Sequence, residues 1–372
     1  MRLLHIASHL NVGGVSRYLC ALSDALAQRG HRVIIAADHG RCEPIVREMG
    51  ATHWRVPLHT SVEFSPQVLA ACWMLAARVR REPVDLIHAH TRVAQVVAAR
   101  LSCALRVPYV TTWHGFFRPN LGRKWWPCTG DLTIAISEPV RRHLEQVFHV
   151  PSERIRLIPH GIDLAPFESP VDPPAQAAVR ERAHLLPHGP VVGTISRLVR
   201  SKGLDLLIQS FSRVRASVPD AHLLIVGDGE DRARLERVAR ASGVEDAIHF
   251  SGTLPDVRAA LSLMQLFVFL PAEQEGFGLS LLEAMASGRP IVAVRRGGGA
   301  PWVLQTSGVG IVVEPDDIDG LARAITQVLQ DQALATRLGQ QGRDVVRARY
   351  TRARMVDQVE AVYRELVSRA SS

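Results

Sequence analysis

An α/β fold with two doubly wound parallel sheets is predicted for this chain, and three observations predict it. Strand-like and helix-like segments alternate in both halves of the sequence. A stretch rich in Pro, Ala and Asp between residues 164 and 190 separates the halves. The length of 372 residues exceeds that of a typical single core and suits two domains. Because ligands bind beyond the carboxyl ends of the strands in such sheets, two facing sheets would form an interdomain cleft.

The first half opens with a strand, a glycine-containing loop and a helix. Short apolar runs predict strands at residues 3–7, 33–37, 85–90, 107–112, 132–136 and 155–159. The first run leads through Asn11, Val12, Gly13 and Gly14 into an amphipathic helix that Gly30 closes. This order is typical of nucleotide binding, but the third glycine of the dinucleotide fingerprint is missing. A tight strand-to-helix turn would explain the two glycines equally well.

The second half repeats the alternation. Its strands are predicted at residues 191–195, 221–226, 248–250, 266–270, 291–294 and 310–313. We therefore expect a first domain over residues 1–168, a linker over 169–189, a second domain over 190–349 and a C-terminal helix over 350–372. No later element follows this last helix, which could pack back on the first domain.

The turn at residues 275–283 is the strongest local signal. Glu275 and Glu283, separated by seven residues, flank a glycine loop with Gly276 and Gly278 between a buried strand and a helix. Such a loop presents unpaired backbone N–H groups and the positive end of the helix dipole to whatever lies above the strand. The turn therefore suits an anion, most naturally phosphate.

Two cations accompany this turn in the second half. The formal net charge of +8 rests mostly on arginine, because Lys124 and Lys202 are the only lysines. Arg197 follows the first strand of the second half, and Lys202 stands five residues later. Fixed cations at a strand end suit a diphosphate leaving group. A solvated loop would be the simpler explanation if Lys202 stood without the turn.

The amino-acid composition limits which binding partners and which cellular compartment we expect. A pI near 9.8 fits nucleic acid, anionic lipid or phosphorylated substrates, but no lysine-rich tail, zinc-ligand spacing or RNA-binding motif occurs. The five cysteines all precede residue 130 without paired spacing, which indicates a reducing compartment. The longest apolar run, near residues 263–270, is too short to span a membrane. We expect a cytoplasmic protein, either soluble or bound peripherally at the inner face of the plasma membrane.

Taken together, the motifs resemble a known family. They are Gly13-Gly14, His114-Gly115, the segment 197–203, Glu275 to Gly278 with Glu283, and Gly298-Gly299. This set resembles the family-4 type of retaining glycosyltransferase with the GT-B fold, and the resemblance runs from the first strand to about residue 330. It implies transfer of a sugar from a nucleotide-sugar donor, most naturally a UDP-sugar, to a saccharide or lipid-linked acceptor. Bacterial lipopolysaccharide, capsule or exopolysaccharide synthesis is the implied setting.

The resemblance also implies roles for individual residues. Glu275 would face the transferred sugar, Glu283 would bind the ribose, and His114 would lie near the reacting sugar and the acceptor. The nucleobase would lie near Thr253 and Leu254. The residues implied to hold the donor diphosphate are Arg197, Lys202, Gly276, Phe277, Gly278, Leu279, Gly13 and Gly14.

The implied chemistry is front-face transfer with retention, in which a donor phosphate oxygen takes the acceptor proton. The resemblance implies no metal ion and no cofactor. Several histidines (His5, His9, His88, His90 and His114) lie at or near predicted strand ends, where polar lining is a commoner role than metal binding. Two departures stand out: His160-Gly161 replaces an Asn-Gly, and the segment 298–302 lacks the glutamate that usually follows the second glycine pair.

Residues 116–126 interleave aromatic and basic side chains directly after His114. Such a loop suits an anionic membrane surface or a lipid-linked acceptor, and packing of the aromatics inside the domain is the equal alternative. Two other functions stay open: another GT-B enzyme such as a nucleotide-sugar epimerase, and a non-catalytic nucleotide-sugar binding module. The second would be expected to lack Glu275 or Lys202, and both are present.

Overall fold

The computed structural model describes residues 1–11, 13–119 and 121–371. These residues form two compact units, Met1–Gly161 together with the C-terminal helix, and Ile162–Thr351. Each unit is built on one parallel sheet, of seven strands in the first and six in the second. The predicted class of two doubly wound parallel sheets is confirmed.

The sheet of the first unit has the strand order β3-β2-β1-β4-β5-β6-β7. Its strands are β1 (Arg2–His9), β2 (Arg32–Asp38), β3 (Thr52–Arg55), β4 (Leu86–Ala89), β5 (Tyr109–Trp113), β6 (Leu132–Ala135) and β7 (Ile155–Leu157). The edge strand β3 is missing from the sequence prediction. In β3 only Trp54 is buried, so no run of apolar residues marks this strand.

Helices cover both faces of this sheet. They are α1 (Gly14–Gln28), α2 (Glu43–Glu48), α3 (Pro66–Arg81), α4 (Arg92–Leu105), α5 (Leu121–Trp125) and α6 (Glu138–Phe148). Alternate residues of β1 point to opposite faces, so Leu3 joins the core beneath α1 while Leu4 joins the core beneath α3 and α4. Ser137 accepts a hydrogen bond from the N–H of Val140, which caps α6 as its sequence predicts.

The sheet of the second unit has the strand order β10-β9-β8-β11-β12-β13. Its strands are β8 (Val191–Ile195), β9 (His222–Val226), β10 (Ile248–Gly252), β11 (Leu266–Phe269), β12 (Ile291–Val294) and β13 (Ile311–Val313). The strand order reverses between β8 and β11. A doubly wound sheet binds ligands where this reversal occurs, beyond the carboxyl ends of the two strands.

Nine helices of the second unit are described. They are α7 (Ala165–Glu168), α8 (Pro173–Ala183), α9 (Leu204–Ser217), α10 (Arg232–Ala241), α11 (Arg258–Leu263), α12 (Leu279–Ala286), α13 (Gly299–Ser307), α14 (Ile318–Gln330) and α15 (Gln332–Arg349). Helix α8 lies inside the segment predicted as a linker, and it buries Val179 and Ala183 within this unit.

The C-terminal helix α16 (Arg352–Ser371) belongs to the first unit. Apolar residues of α16 enter the core that α1 covers: Met355, Val356, Val359, Val362, Tyr363 and Leu366. The buried Glu360 carboxylate of the same helix accepts hydrogen bonds from Arg29 at 2.8 Å and from His31 at 3.0 Å. The chain therefore returns to complete its first unit after finishing its second. Over the described part of the chain, no helix combines the length and the apolar character that crossing a bilayer requires.

Candidate functional site

Lys202 and Glu275 meet at the point where the strand order of the second unit reverses. Lys202 ends the short 3-10 turn Arg200–Lys202 that follows β8, and Glu275 lies in the loop that follows β11. The Lys202 Nζ is 2.5 Å from the Glu275 Oε2, and the two side chains are 11% and 22% exposed. The structure thus brings a shielded cation and a carboxylate together from sequence positions that are 73 residues apart.

Local geometry holds Lys202 in this place. Leu198 is fully buried and anchors the loop after β8, while Gly203 reverses the chain with a φ of +61° before α9 begins. The Lys202 ammonium also lies 5.9 Å from the centre of the Phe269 ring, a distance typical of a cation–π contact. The last residue of β11 therefore helps to orient a cation from the β8 loop.

The glycine turn is held by its own backbone and by Phe269. The Glu275 N–H donates to the Ala272 carbonyl at 3.0 Å, and the Glu275 carboxylate accepts from the Ala272 N–H at 3.2 Å. Gly278 has a φ of +105°, and a Cβ there would lie 2.6 Å from the Phe269 ring. Only glycine meets both conditions without strain, and α12 begins at the next residue, Leu279. The predicted order of strand, glycine turn and helix is present.

The second glycine pair packs directly against this turn. A Cβ at Gly299 would lie 1.7 Å from the carbonyl oxygen of Gly276, so the start of α13 touches the turn backbone to backbone. Phe277 is buried and contacts the Tyr350 ring edge-on at 5.7 Å. Packing against the start of α13 and against Tyr350 therefore fixes the position of the turn within the second unit.

The other predicted donor residues lie around this centre. Arg197 is exposed in the loop after β8, and no described residue pairs with its side chain. Glu283 is 3% exposed in α12, about one turn after Leu279. Thr253 and Leu254 follow the edge strand β10, two strands away from β8.

Arg296 joins the site although the sequence analysis did not select it. It follows β12, and its Nη1 is 2.5 Å from the position of a Cβ on Gly203. Its Nη2 donates to Asp316 at 2.7 Å. Its position directly after a buried strand and before a glycine pair is the sequence signal that could have identified it.

Gly13 is the N-cap residue of α1 in the first unit, and Gly14 is the first residue of that helix. Gly13 has an extended φ of 177°, which any residue adopts, and a Cβ on either glycine would meet no atom within 4 Å. Neither the backbone conformation nor packing against the described residues therefore requires a glycine here. Val12, which precedes them in the predicted loop, lies outside the described residues.

His114 follows β5 and is hydrogen-bonded to His160. The His114 Nδ1 is 3.2 Å from the His160 Nε2, and the Tyr18 ring lies 4.8 Å from the first imidazole and 4.7 Å from the second. Burial and the neighbouring His160 hold the pKa of His114 well below its usual range. Burial lowers the pKa of His160 to about 3. Both rings are therefore neutral at pH 7, and His160 fixes which His114 nitrogen faces away from it.

Three further buried imidazoles lie next to the His114–His160 pair. His5 pairs with His88 across β1 and β4, and the His5 Nδ1 is 3.0 Å from the His90 Nε2. His88 bonds Tyr363 at 2.5 Å and Thr112 at 2.7 Å. In the described part of the chain, His5, His88 and His90 form the one group spaced to hold a metal ion. Hydrogen bonds already use four of their six ring nitrogens, because only the His5 Nε2 and the His90 Nδ1 have no protein partner.

The aromatic residues of 116–126 divide between packing and exposure. Phe117 packs on Trp113 at 4.6 Å and Phe116 on His143 at 5.3 Å. Trp125 is 87% exposed, and Trp126 is 39% exposed and stacks on Phe64 at 6.3 Å. Phe116 and Phe117 therefore match the expected packing inside the domain, and the exposed Trp125 leaves the expected contact with a membrane or acceptor open. Asn120 lies outside the described residues.

Two family models together cover most of the chain. Residues 12–166 match the model described as Glycosyltransferase Family 4, and residues 178–345 match the model described as Glycosyl transferases group 1. The lipopolysaccharide core biosynthesis mannosyltransferase LpcC of Rhizobium leguminosarum bv. viciae is 31% identical over 310 residues, covering 80% of this chain and 82% of LpcC. The chain belongs to glycosyltransferase family 4. The resemblance inferred from the motifs is confirmed.

Other similar proteins match nearly the whole length of the chain. The N-acetyl-alpha-D-glucosaminyl L-malate synthase of Bacillus anthracis is 26% identical over 377 residues, covering 97% of this chain and 96% of that protein. The crystal structure of Anabaena HepE in complex with UDP superposes with a TM-score of 0.83 at 21% identity, covering 98% of this chain and all of that one. Its likeness concerns the fold, and it confirms the GT-B class.

Proposed function

We propose that this family-4 glycosyltransferase moves a sugar from a UDP-sugar to a saccharide or lipid-linked acceptor, with retention of anomeric configuration. The product would be a bacterial surface glycan, such as lipopolysaccharide. LpcC is a lipopolysaccharide core mannosyltransferase and HepE is a protein crystallised with UDP, and both support this proposal.

The contact between Lys202 and Glu275 carries the proposal. The bond that breaks in a nucleotide-sugar joins the diphosphate to the sugar. A cation that holds the diphosphate, next to a carboxylate that faces the sugar, suits this reaction. Lys202 and Glu275 are 2.5 Å apart beside the N-terminus of α12, at the reversal point of the sheet.

Charge explains the rate that such a site would provide. Cleavage develops negative charge on the leaving diphosphate and positive charge at the anomeric carbon. Lys202, Arg197 and the N–H groups that open α12 would stabilise the diphosphate, and Glu275 would stabilise the sugar. We propose that these fixed charges replace a metal ion. EDTA should then leave turnover unchanged after dialysis, and a loss that Mg²⁺ or Mn²⁺ restores would contradict this part.

Binding of the remainder of the donor follows from the same geometry. Glu283, one turn into α12, would accept hydrogen bonds from the ribose hydroxyls, and Thr253 and Leu254 would lie near the base. Among the described residues, no neighbour requires glycine at 13 or 14. We attribute both glycines to close approach of the donor phosphates, because a side chain there would obstruct them.

His114 is proposed to act on the acceptor side. Its Nδ1 is engaged by His160, and its Nε2 is buried without a hydrogen-bond partner among the described residues, so we assign the Nε2 to a sugar hydroxyl. A neutral imidazole can donate or accept one hydrogen bond at this atom, depending on its tautomer. His160 is thus a positioning residue for His114.

A donor screen tests the proposal. Nucleotide release is measured with UDP-, GDP- and ADP-sugars in the presence of candidate acceptors, for the wild type and for Glu275→Ala. Lys202→Gln should lower turnover about a hundredfold, which corresponds to about 3 kcal/mol of transition-state stabilisation. Glu273→Ala, an exposed carboxylate two residues before Glu275, is the matched control and should be unaffected. Undiminished turnover of Glu275→Ala would overturn the site assignment.

The stereochemistry is tested separately. Proton NMR of the product formed from an α-linked donor should show an α-linkage. A β-linkage would contradict retention, and nucleotide-sugar isomerisation without a new glycosidic bond would indicate an epimerase.

The first unit also carries an apolar face that suits a membrane surface. Residues 66–77 of α3 contain no charged residue, yet Leu69 and Trp73 are 53% and 76% exposed. Phe64 and Trp125 are exposed as well, at 61% and 87%. Exposed basic residues lie near these side chains in the sequence, Arg80 and Arg81 in α3 itself and Lys124 directly before Trp125. Apolar and aromatic side chains bordered by cations are what an anionic bilayer surface binds.

Vesicle binding tests the membrane proposal. Vesicles containing phosphatidylglycerol should retain the wild type, and the double variant Trp73→Ala, Trp125→Ala should bind at least tenfold more weakly. Leu186→Ala, a comparably exposed leucine in the second unit, is the control. Equal retention of the wild type and the double variant would overturn the proposal. Concentration-dependent self-association in sedimentation, abolished by the same variant, would assign the face to a second copy instead.

A further inference from the structure

Two adjoining cavities lie at the amino-terminal edge of the second sheet, opposite the edge that carries Lys202 and Glu275. Their volumes are about 320 and 410 Å³, and Ser287, Arg289 and Arg343 line both. Arg289 stands just before β12, and Met264, to which it bonds, stands just before β11. This region is therefore separate from the proposed donor site.

The smaller cavity is strongly cationic. Four arginines line it, Arg258, Arg289, Arg343 and Arg347, against the single carboxylate Glu168. Two of them are compensated: Arg258 forms an ion pair with Asp256 at 2.6 Å, and Arg347 lies 3.6 Å from Glu168. For Arg289 and Arg343, no carboxylate partner occurs among the described residues.

Within the described ranges, Arg289 and Arg343 bond only to carbonyl oxygens. Arg289 donates to Met264 at 2.6 Å and to Ser287 at 3.3 Å, and Arg343 donates to the same Ser287 oxygen at 3.3 Å. Burial and the neighbouring Arg343 lower the pKa of the Arg289 guanidinium. Two like charges thus converge on one acceptor in a poorly solvated place, an arrangement that an anion would stabilise.

Small residues build this arrangement into the fold. Gly288, with a φ of +68°, lies under Arg343, and a Cβ there would be 2.4 Å from the Arg343 Nη2. A Cβ on Gly339 would lie 2.3 Å from the Gly288 carbonyl oxygen. Helix α15 therefore approaches the loop before β12 closely enough to set Arg343 beside Arg289.

We propose that Arg289 and Arg343, with Arg347 at the rim, form a binding site for a phosphorylated small molecule, distinct from the donor site. Guanidinium groups match phosphate oxygens in a planar fork, and paired arginines are typical of phosphate recognition. The cavity of about 320 Å³ exceeds a single phosphate and accommodates an organic group attached to it. The site thus takes a phosphate monoester, with the phosphate on the two arginines.

Thermal unfolding and calorimetry of the full chain test this site. Glucose 1-phosphate and inorganic phosphate are added separately in phosphate-free buffer, with sodium chloride at matched ionic strength as the reference. Ligand that binds the folded protein raises its melting temperature. Glucose 1-phosphate should raise the melting temperature by several degrees, and inorganic phosphate should do so more weakly. No rise above the chloride reference, or a rise with inorganic phosphate alone, would overturn the proposal.

Variants locate the binding. Arg343→Gln should weaken glucose 1-phosphate binding at least tenfold. Arg337→Gln, an exposed arginine on the same helix outside both cavities, should leave it unchanged. The Arg347 side chain is half exposed, and Arg347→Gln should weaken binding about threefold. This second variant keeps the proposal testable if Arg343→Gln fails to fold.

Lys202→Gln separates this site from the donor site. Binding of glucose 1-phosphate should survive this substitution. Binding that Lys202→Gln abolishes and Arg343→Gln leaves intact would place the phosphate at the donor site and overturn the proposal, without touching the proposed glycosyltransferase activity.

Discussion

At the scale of single residues, the glycines of this glycosyltransferase differ in what a methyl group would meet. At Gly299 it would collide with the Gly276 carbonyl, which is rigid backbone, whereas at Gly14 it would meet open space. Gly299→Ala should therefore lower the free energy of unfolding by about 2–3 kcal/mol. Gly14→Ala should leave stability nearly unchanged and raise the KM for the donor about tenfold, which is about 1.4 kcal/mol of binding.

Urea unfolding and donor kinetics of the two variants check this contrast. Equal stability losses would show that the close contact at Gly299 relaxes without cost. An unchanged KM for Gly14→Ala would refute the assignment of that glycine to the donor phosphates.

The buried histidines make stability depend on pH. Burial holds the pKa of His5 and of His160 at about 3, below the ordinary value of 6.5 that applies in the unfolded chain. The unfolded state then binds more protons between pH 6.5 and 3, so stability is full above pH 6.5 and is lost as the pH falls toward 3. At pH 5 each of these histidines should lower the free energy of unfolding by about 2 kcal/mol relative to pH 7.

His160→Asn isolates one of these contributions. The difference in unfolding free energy between pH 7 and pH 5 should shrink by about 2 kcal/mol in this variant, measured by urea unfolding at both values. His184→Asn, at an exposed position, should keep the wild-type dependence. An unchanged pH dependence in His160→Asn would show that His160 is protonated equally in both states.

The residues that sequence reasoning selected and those it missed differ in a physical way. Lys202, Glu275 and the glycines belong to loops in which the residue types alone indicate phosphate and sugar binding, before the fold is known. Arg296 and His160 owe their positions to tertiary contacts, with Gly203 and with His114. An arginine after a strand is common, so its type alone did not distinguish it. His160 was noted only as a departure from Asn-Gly.

At the scale of elements, the buried strands were predictable and the edge was not. Twelve strands carry apolar runs that predict them, whereas β3 has a single buried residue. Helix α16 shows what the spacing of apolar residues in a sequence cannot predict. Its apolar face indicates that it is buried, but the pattern contains no information on which unit it covers.

A buried hydrogen bond ties helix α16 to the first sheet. The Tyr363 hydroxyl lies 2.5 Å from the His88 Nδ1, and both residues are fully buried. Tyr363→Phe leaves that nitrogen without a partner and should destabilise the protein by about 1–3 kcal/mol. Tyr350→Phe, which keeps its ring on Phe277 in the second unit, should cost less than about 0.5 kcal/mol. Thermal unfolding compares the two, and equal losses would contradict a specific role for the His88 bond.

At the scale of the whole molecule, the repeated alternation of strands and helices revealed two sheets, because each half contains enough apolar runs for its own core. Where the halves divide is less visible. The proline-rich stretch suggested a linker, yet part of it forms α8 and packs within the second unit. Proline at the first positions of a helix is compatible with helix formation, so proline content alone does not distinguish a linker from a capped helix.

The two units should respond differently to a nucleotide. If the donor diphosphate binds at Lys202 and the turn, UDP should slow amide exchange in residues 197–203 and 271–283. Helix α3 of the first unit should keep its exchange rates and serves as the internal reference. Hydrogen exchange with mass spectrometry measures both regions in one experiment. Slowing confined to α3, or none at residues 271–283, would contradict the assignment.

The scarcity of lysine has a practical consequence. Lys202 is buried and engaged by Glu275, whereas Lys124 is exposed one residue before Trp125. An amine-reactive, environment-sensitive dye will therefore attach at Lys124 and at the amino terminus, and leave Lys202 unmodified. One labelling reaction on the unmutated enzyme thus puts a fluorescent reporter beside the face proposed to meet the bilayer.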